Sequence, residues 1–434
     1  MFSEFTSDFC QKFFLEKKLM CFTLMLLIFG ISACGDSSKQ GEIYEKDNGT
    51  SFNRLTISEQ QRLAPSDLFK SIFLQDFNSF QQYLNADSFE FNQKNDEGET
   101  ALVVAIKLRN TRIVNALLER ANKDHFREPN NDGRSYLSLI VEYDMLESFD
   151  KAYNTYKSQA QYMGELWLSY ADFKDDLGRR SAFYAKSYAM IDKLENAWFS
   201  SVSSVRHYFN AFYFSYDDQG NSFLHLAAQN QNTQIINWYV EKNCSYKEWE
   251  SSSVPSYLAR RVGDFFTEVE LSPFRRRFVN LQNDDGNTPI HLAAASGRVE
   301  SINSLMACYQ TDPTIKNNAK RAPIVELLYN VDSGSSFVSE DYKESFLYLF
   351  NVVDPAWYKM NFEMTWFYSE WNIGFNFGNN FRKIVTKRDE NSWTALHYAA
   401  KIRDPYFWDA LKDYQKVQFR TSEGFTPAQL RMSN

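Results

Sequence analysis

The sequence predicts an all-α fold, a solenoid of short helix pairs carrying two helical or aromatic-rich insertions. Three observations predict it. Similar segments recur along the chain, the clearest being Asp285-Gly286-Asn287-Thr288-Pro289-Ile290-His291-Leu292-Ala293-Ala294. Apolar residues then return at helical spacing, as in Val299, Ile302, Leu305 and Met306. Small pairs such as Ala293-Ala294 sit where neighbouring helices must come close. At 434 residues with 44% hydrophobic and 24% charged residues, the chain can bury a sizeable core. The net charge of −8 argues against a nucleic-acid partner, because phosphate binding needs a basic face. Arg275-Arg276-Arg277 reads as a solvated helix end.

Residues 1–33 have the parts of an export signal. Lys17 and Lys18 precede an apolar run from Leu19 to Phe29, and small residues follow it. The run is shorter than the roughly 20 residues a membrane span needs. Ile31-Ser32-Ala33-Cys34 closely resembles the lipobox of bacterial lipoproteins. That resemblance implies cleavage between Ala33 and Cys34, with lipid on the Cys34 thiol. Glu4, Asp8 and Glu16 are unusual ahead of such a signal, and a start near Leu15 would give a compact one. Residues 34–60 are polar and form a flexible tether with a reach of roughly 25–30 Å. Gly35 is not the Asp that resembles an inner-membrane retention signal, which favours the outer membrane, facing the periplasm.

The array is expected over 61–434. Asp218-Gln219-Gly220-Asn221-Ser222-Phe223-Leu224-His225-Leu226-Ala227-Ala228 repeats the Gly286 segment, and Asn391-Ser392-Trp393-Thr394-Ala395-Leu396-His397-Tyr398-Ala399-Ala400 does so again. Gly220 and Gly286 are 66 residues apart, twice 33. These segments resemble the ankyrin repeat, whose signature is Gly-x-Thr-Pro-Leu-His-x-Ala on a period of 33. Gly286 serves a tight turn, Thr288 caps the next helix and Pro289 suits its first turn. His291 lies where its ring can bond the Thr hydroxyl and nearby backbone. Weaker copies begin at Asp96, Asp132, Ser253, Lys320 and Gly424. Repeats are therefore expected near 66–91, 92–126, 129–152, 217–246, 250–280, 283–315, 317–351 and 388–418, with a partial one at 421–434.

Residues about 153–214 and 353–386 fall outside the period and read as insertions. The second contains Trp357, Trp366 and Trp371. They are either packed against the array or part of a partner-binding patch, since Trp is enriched in interface hot spots. His225, His291 and His397 occupy the repeat's structural position, and His125 and His207 have no ligand at metal spacing. No phosphate loop, nucleophile elbow or His-Glu-x-x-His occurs. The sequence therefore gives no cofactor, no metal, no small-molecule substrate and no catalytic set.

After loss of Cys10 and Cys21 with the signal and lipidation of Cys34, only Cys244 and Cys308 remain. Counting a repeat at 250–280 between them separates them by roughly 16–20 Å, at 8–10 Å per helix layer. The expectation is two free, buried thiols. The ankyrin resemblance implies a protein partner bound through exposed turn tips, with Asp96, Glu97, Asp217, Asp218, Asp284 and Asp285 as candidate contacts. The expected function is a membrane-tethered envelope binder, in a sharper form an immunity protein against a periplasm-delivered toxin. A scaffold or chaperone-like role in envelope assembly is the alternative, and an enzyme the remotest reading.

Overall fold

The computed structural model describes residues 55–122, 125, 130–159, 173–201, 212–213, 215–244, 278–308, 311–331, 338–353, 384–413 and 419–433. Ala33, Cys34, Trp357, Trp366 and Trp371 lie outside the described residues, as does most of the repeat expected at 250–280. Among the described residues the structure is helical, with one isolated antiparallel bridge, Lys94 to Thr100. No described helix is long and apolar enough to cross a membrane.

After α1 (Ile57–Leu63), the helices alternate between two rows. The first row holds α2 (Asp67–Phe73), α4 (Ala101–Lys107), α6 (Tyr136–Glu142), a 3-10 turn (Ser181–Tyr184), α9 (Phe223–Gln229), α11 (Pro289–Ala295), α13 (Pro323–Asn330), α15 (Ala395–Lys401) and α17 (Pro427–Ser433). The second row holds α3 (Phe77–Leu84), α5 (Thr111–Arg120), α7 (Leu146–Gln159), α8 (Tyr188–Ser201), α10 (Thr233–Cys244), α12 (Val299–Met306), α14 (Glu340–Val353) and α16 (Pro405–Leu411). Members of each row pack on their row neighbours in chain order.

Local chemistry sets the helix bounds. Most first-row helices start at a hydroxyl residue, such as Thr100, Ser135, Ser222, Thr288 and Thr394, which bonds a backbone or His group three residues on. Five of them end in one residue with positive φ before the second helix begins. These are Gln75, Arg109, Asp144, Gln231 and Gly297, at φ between 52° and 61°. The core lies between the rows and includes Ile106, Leu117, Ile140, Leu224, Ile236, Ile290, Ile302 and Leu327, each at most 1% exposed. Full burial of each such side chain contributes roughly 1.5–3 kcal/mol.

Two departures from the sequence expectation concern the stack itself. First, residues 175–201, expected inside an insertion, form a unit of the stack. The 3-10 turn packs on α6 and α9, and α8 lies between α7 and α10. Lys193 Nζ reaches Asp150 Oδ2 on α7 at 2.6 Å, and Lys242 Nζ on α10 reaches Asp192 Oδ1 at 2.7 Å. Second, Cys244 and Cys308 are joined in a disulfide with Cα atoms 5.1 Å apart. The free-thiol expectation fails because α9 packs directly on α11 and α10 on α12, so one layer separates the cysteines and not two.

Candidate interaction surface

From α4 onward each unit opens with the same short turn. Asn283 shows how it is built: its backbone N–H donates to Asn287 O at 2.9 Å, and the Gly286 N–H returns to Asn283 O at 2.8 Å. Its side-chain Oδ1 accepts from the Asp285 and Asn287 backbone N–H groups at 3.1 and 2.8 Å. Asn95, Asn130, Asp175, Asp217 and Asp389 repeat this pattern, with Thr421 as a weaker form. The polar side chain thus stands in for missing backbone partners, which is why Asn or Asp is needed three residues before the glycine.

Three sets of bonds join successive turns from Asp175 onward. The first is backbone: Asp218 N–H to Leu177 O at 3.0 Å, Asp284 N–H to Gln219 O at 3.1 Å, Asn318 N–H to Asp285 O at 3.0 Å and Glu390 N–H to Ala319 O at 3.2 Å. The second is side-chain: Asn283 Nδ2 donates to Asn221 Oδ1 at 2.8 Å, and Asn317 Nδ2 to Asn287 Oδ1 at 2.9 Å. At the same register Arg179 Nε meets Asp217 Oδ2 at 3.4 Å, and Arg321 reaches Asp389 at 3.9 Å.

The third set runs through histidine. The Ser222 backbone N–H donates to His225 Nδ1 at 3.1 Å, so the ring proton is on Nε2, which donates to Asn287 O at 3.0 Å. His291 does the same between Thr288 and Arg321 O, and His397 between Thr394 and Phe419 O. His225 and His291 are fully buried, and loss of hydration pushes both down to about 4. Burial lowers His397 as well. These rings are neutral clamps between units.

Gly286 has φ +74°, and a side chain there would meet Asn318 Oδ1 at 2.5 Å and its backbone N at 2.6 Å. The close approach of the next turn excludes any Cβ.

Each tip presents a pair of residues: Asp96-Glu97, Asn131-Asp132, Asp176-Leu177, Asp218-Gln219, Asp284-Asp285, Asn318-Ala319, Glu390-Asn391 and Ser422-Glu423. All are exposed except half-buried Ala319, and the next residue of that turn, Lys320, is exposed and basic. Five of the six expected contacts, Asp96, Glu97, Asp218, Asp284 and Asp285, are exposed tip residues. Glu97 pairs with Arg62 at 3.0 Å. Asp217 is the exception: it is 7% exposed and spends its carboxylate on Gln219, Asn221 and Arg179. It corresponds to Asn283, not to Asp284. Asp176 and Glu390 are tip acids that the sequence reading missed; an Asn or Asp three residues before the turn residue would have located both.

Among the described residues no three His, Cys, Asp or Glu side chains converge as a metal set. No curated protein matches the chain. The family model of the ankyrin repeat matches residues 285–318, the stretch from the Asp285 tip through α11 and α12 to the Asn318 tip, so this part of the chain is an ankyrin repeat.

Proposed function

We propose that this chain is an exported, lipid-anchored envelope protein that binds a protein partner along one ankyrin-type solenoid. The observation that carries the binding reading is the row of tips. Successive turns are bonded in register, so variable side chains line one edge while the buried positions do the structural work. Such arrays recognise partners through extended surfaces of this kind, and the ankyrin repeat is an interaction module.

Two features support the envelope part. The Ile31-Ser32-Ala33-Cys34 segment after an apolar run resembles a lipoprotein signal, with Cys34 as the anchor. The Cys244–Cys308 disulfide also suits an oxidising compartment, since cytosolic thiols are kept reduced. A lipid on Cys34 and a polar tether would station the array at a membrane face, with the outer membrane favoured by Gly35. The sharper form of this reading is an immunity protein that sequesters a periplasm-delivered toxin such as a phospholipase.

The test is paired. A fatty-acid probe should label the native chain and not Cys34→Ser; label that persists in the variant removes the anchor. Full-length Cys34→Ser should retain a single stoichiometric partner from envelope extract. Asp218→Asn/Asp284→Asn/Asp285→Asn should release that partner with melting unchanged. Recovery of no partner at any salt removes the binding reading.

A further inference from the structure

The turn edge reverses sign along the stack. The turns at Asp217 and Asn283 expose Asp218, Asp284 and Asp285, and residues 215–221 and 281–287 contain no Lys or Arg. The next three turns are the opposite. Lys316, Arg388 and Arg420 each stand one residue before the opening residue of a turn, Asn317, Asp389 or Thr421. Lys320 and Lys387 belong to the same turns. Lys316 is half-buried and the other four cations are exposed.

This positive charge is not spent inside the protein. None of the five cations makes an ion pair among the described residues. Arg420 donates to the Gly424 carbonyl at 2.7 Å, and the Arg388 guanidinium lies 4.9 Å from the Phe419 ring centroid. Both contacts hold the side chain and leave its charge. Burial pushes the Lys316 ammonium down, and the charges of Lys387 and Lys320 push it further. The Asp389 carboxylate is buried and accepts from the Asn391 and Trp393 backbone N–H groups and from Tyr398. Over residues 315–321, 387–393 and 419–425 the exposed acids are Glu390 and Glu423, against five cations.

Spacing and shape narrow what fits. These turns are bonded in register, Glu390 N–H to Ala319 O at 3.2 Å and Ser422 N–H to Asn391 O at 3.4 Å. Lys316, Arg388 and Arg420 therefore recur once per unit, at roughly 8–10 Å for packed helix layers. An extended chain advances about 3.3 Å per residue, so about every third side chain meets one unit. A membrane or a nucleic acid would carry negative charge past the row onto Asp218, Asp284 and Asp285, which repel it. A single segment can end its acids where the edge changes sign.

We propose that Lys316, Lys320, Lys387, Arg388 and Arg420 form the docking row for an extended acidic segment of a protein partner. The inference rests on the partner-binding reading above and adds the charge and form of what these turns bind.

The probes are three fluorescein-labelled 12-residue peptides of Ser and Gly: one with Glu at every third position, one with the same Glu residues in a single block, and one with Gln in place of the spaced Glu. Full-length protein should bind the spaced Glu peptide at least about threefold tighter than the block, which leaves one or two exposed pairs unmade, and should not bind the Gln peptide. Lys320→Gln/Lys387→Gln/Arg388→Gln should weaken the spaced peptide by about tenfold, the loss of three exposed charge pairs, with melting unchanged. Lys94→Gln/Lys174→Gln, which removes exposed cations at the register of Lys316 in other turns, should leave binding unchanged. Glu390→Gln/Glu423→Gln should tighten it. Binding that ignores the triple variant, an equal loss in the Lys94/Lys174 variant, equal binding of the block or Gln peptide, or no saturable binding up to millimolar concentration overturns the proposal. Displacement of the peptide by phosphatidylglycerol vesicles assigns the row to a lipid surface and also overturns it. A stoichiometric partner from extract that the triple variant retains equally overturns the row and leaves partner binding intact. Recovery of no partner overturns both.

Discussion

The unit from Asn283 to Cys308 and the unit from Asp175 to Ser201 occupy equivalent places in the stack, yet only one of them is visible in the sequence. The first has Thr288-Pro289-Ile290-His291. Its Thr caps the helix, its Pro fits the first turn, its His reaches the next unit, and the outcome is the seven-residue helix α11. The second has Arg180 at the capping position with no side-chain cap, and it forms only a four-residue 3-10 turn. Its ties to neighbours are different chemistry: Ser181 Oγ lies 3.2 Å from Ser138 Oγ, and Arg180 donates to Ser215 Oγ at 2.5 Å. Both keep the opening turn, Asn283 to Gly286 and Asp175 to Gly178. The unit is therefore defined by its turn, and the Thr-Pro-x-His segment is one of several ways to finish it.

Breaking the covalent tie of the visible unit should have the largest effect. Cys244 and Cys308 are 64 residues apart. The chain-entropy relation gives about 4 kcal/mol for a loop of that length. Cys244→Ser/Cys308→Ser should lower stability to urea by that order, and reductant should have no further effect on the variant. Next, His291→Ala strands the Thr288 N–H and the Arg321 carbonyl in a fully buried site, and should cost about 3 kcal/mol. Ser181→Ala, at a buried neutral contact of the other unit, should cost about 1 kcal/mol in the same melt.

The turn, shared by both units, predicts a graded effect. Gly178 has φ +74° and lies under Asp218 of the next tip, whereas Gly424 has φ +87° and nothing within 4 Å. Ala at Gly178 should cost about 2 kcal/mol or more, and at Gly424 only the backbone strain of about 1 kcal/mol. Equal effects would show that packing between tips contributes nothing.

The histidine clamps add a dependence on pH. His225 and His291 are held down to about 4 in the folded state, against an ordinary value of 6.5. The unfolded chain therefore binds more protons between those values, so stability is fully present above about 6.5 and falls as pH drops toward 4. The slope is up to about 1.4 kcal/mol per pH unit for each ring. His291→Gln should remove roughly half of it in urea titrations run from pH 7 to 4.5. The Asp175 unit has no histidine at that position, so its substitution should leave the slope unchanged.

What the sequence revealed follows from the same contrast. Thr288-Pro289 and the three His segments are dense local signals, and they located α9, α11 and α15. The Asp175 unit has only Asp-x-x-Gly, and it lies 45 residues after Asn130 and 42 before Asp217, so no 33-residue period points to it. Asp217-Asp218 and Asp284-Asp285 look alike as pairs, but the residue three before each glycine sets the register, which moves Asp217 into the turn. The disulfide was hidden because sequence distance counted a repeat that does not intervene between α10 and α12. Of the candidate surface, the tip acids were legible, whereas the basic row brings together Lys316, Arg388 and Arg420 from three units and has no local signature.

The disulfide also has a mechanical meaning. In the proposed arrangement, with a lipid anchor at one end and a partner at the other, the chain would be pulled along its length. Once the stack begins to unravel, tension reaching Cys244 crosses the sulfur bridge to Cys308 and bypasses everything between them. About 64 residues, roughly 220 Å of extended chain at about 3.5 Å each, are shielded from the load while the bridge holds. The shielded length contains α11 and α12, so the best-formed repeat would be the last to yield.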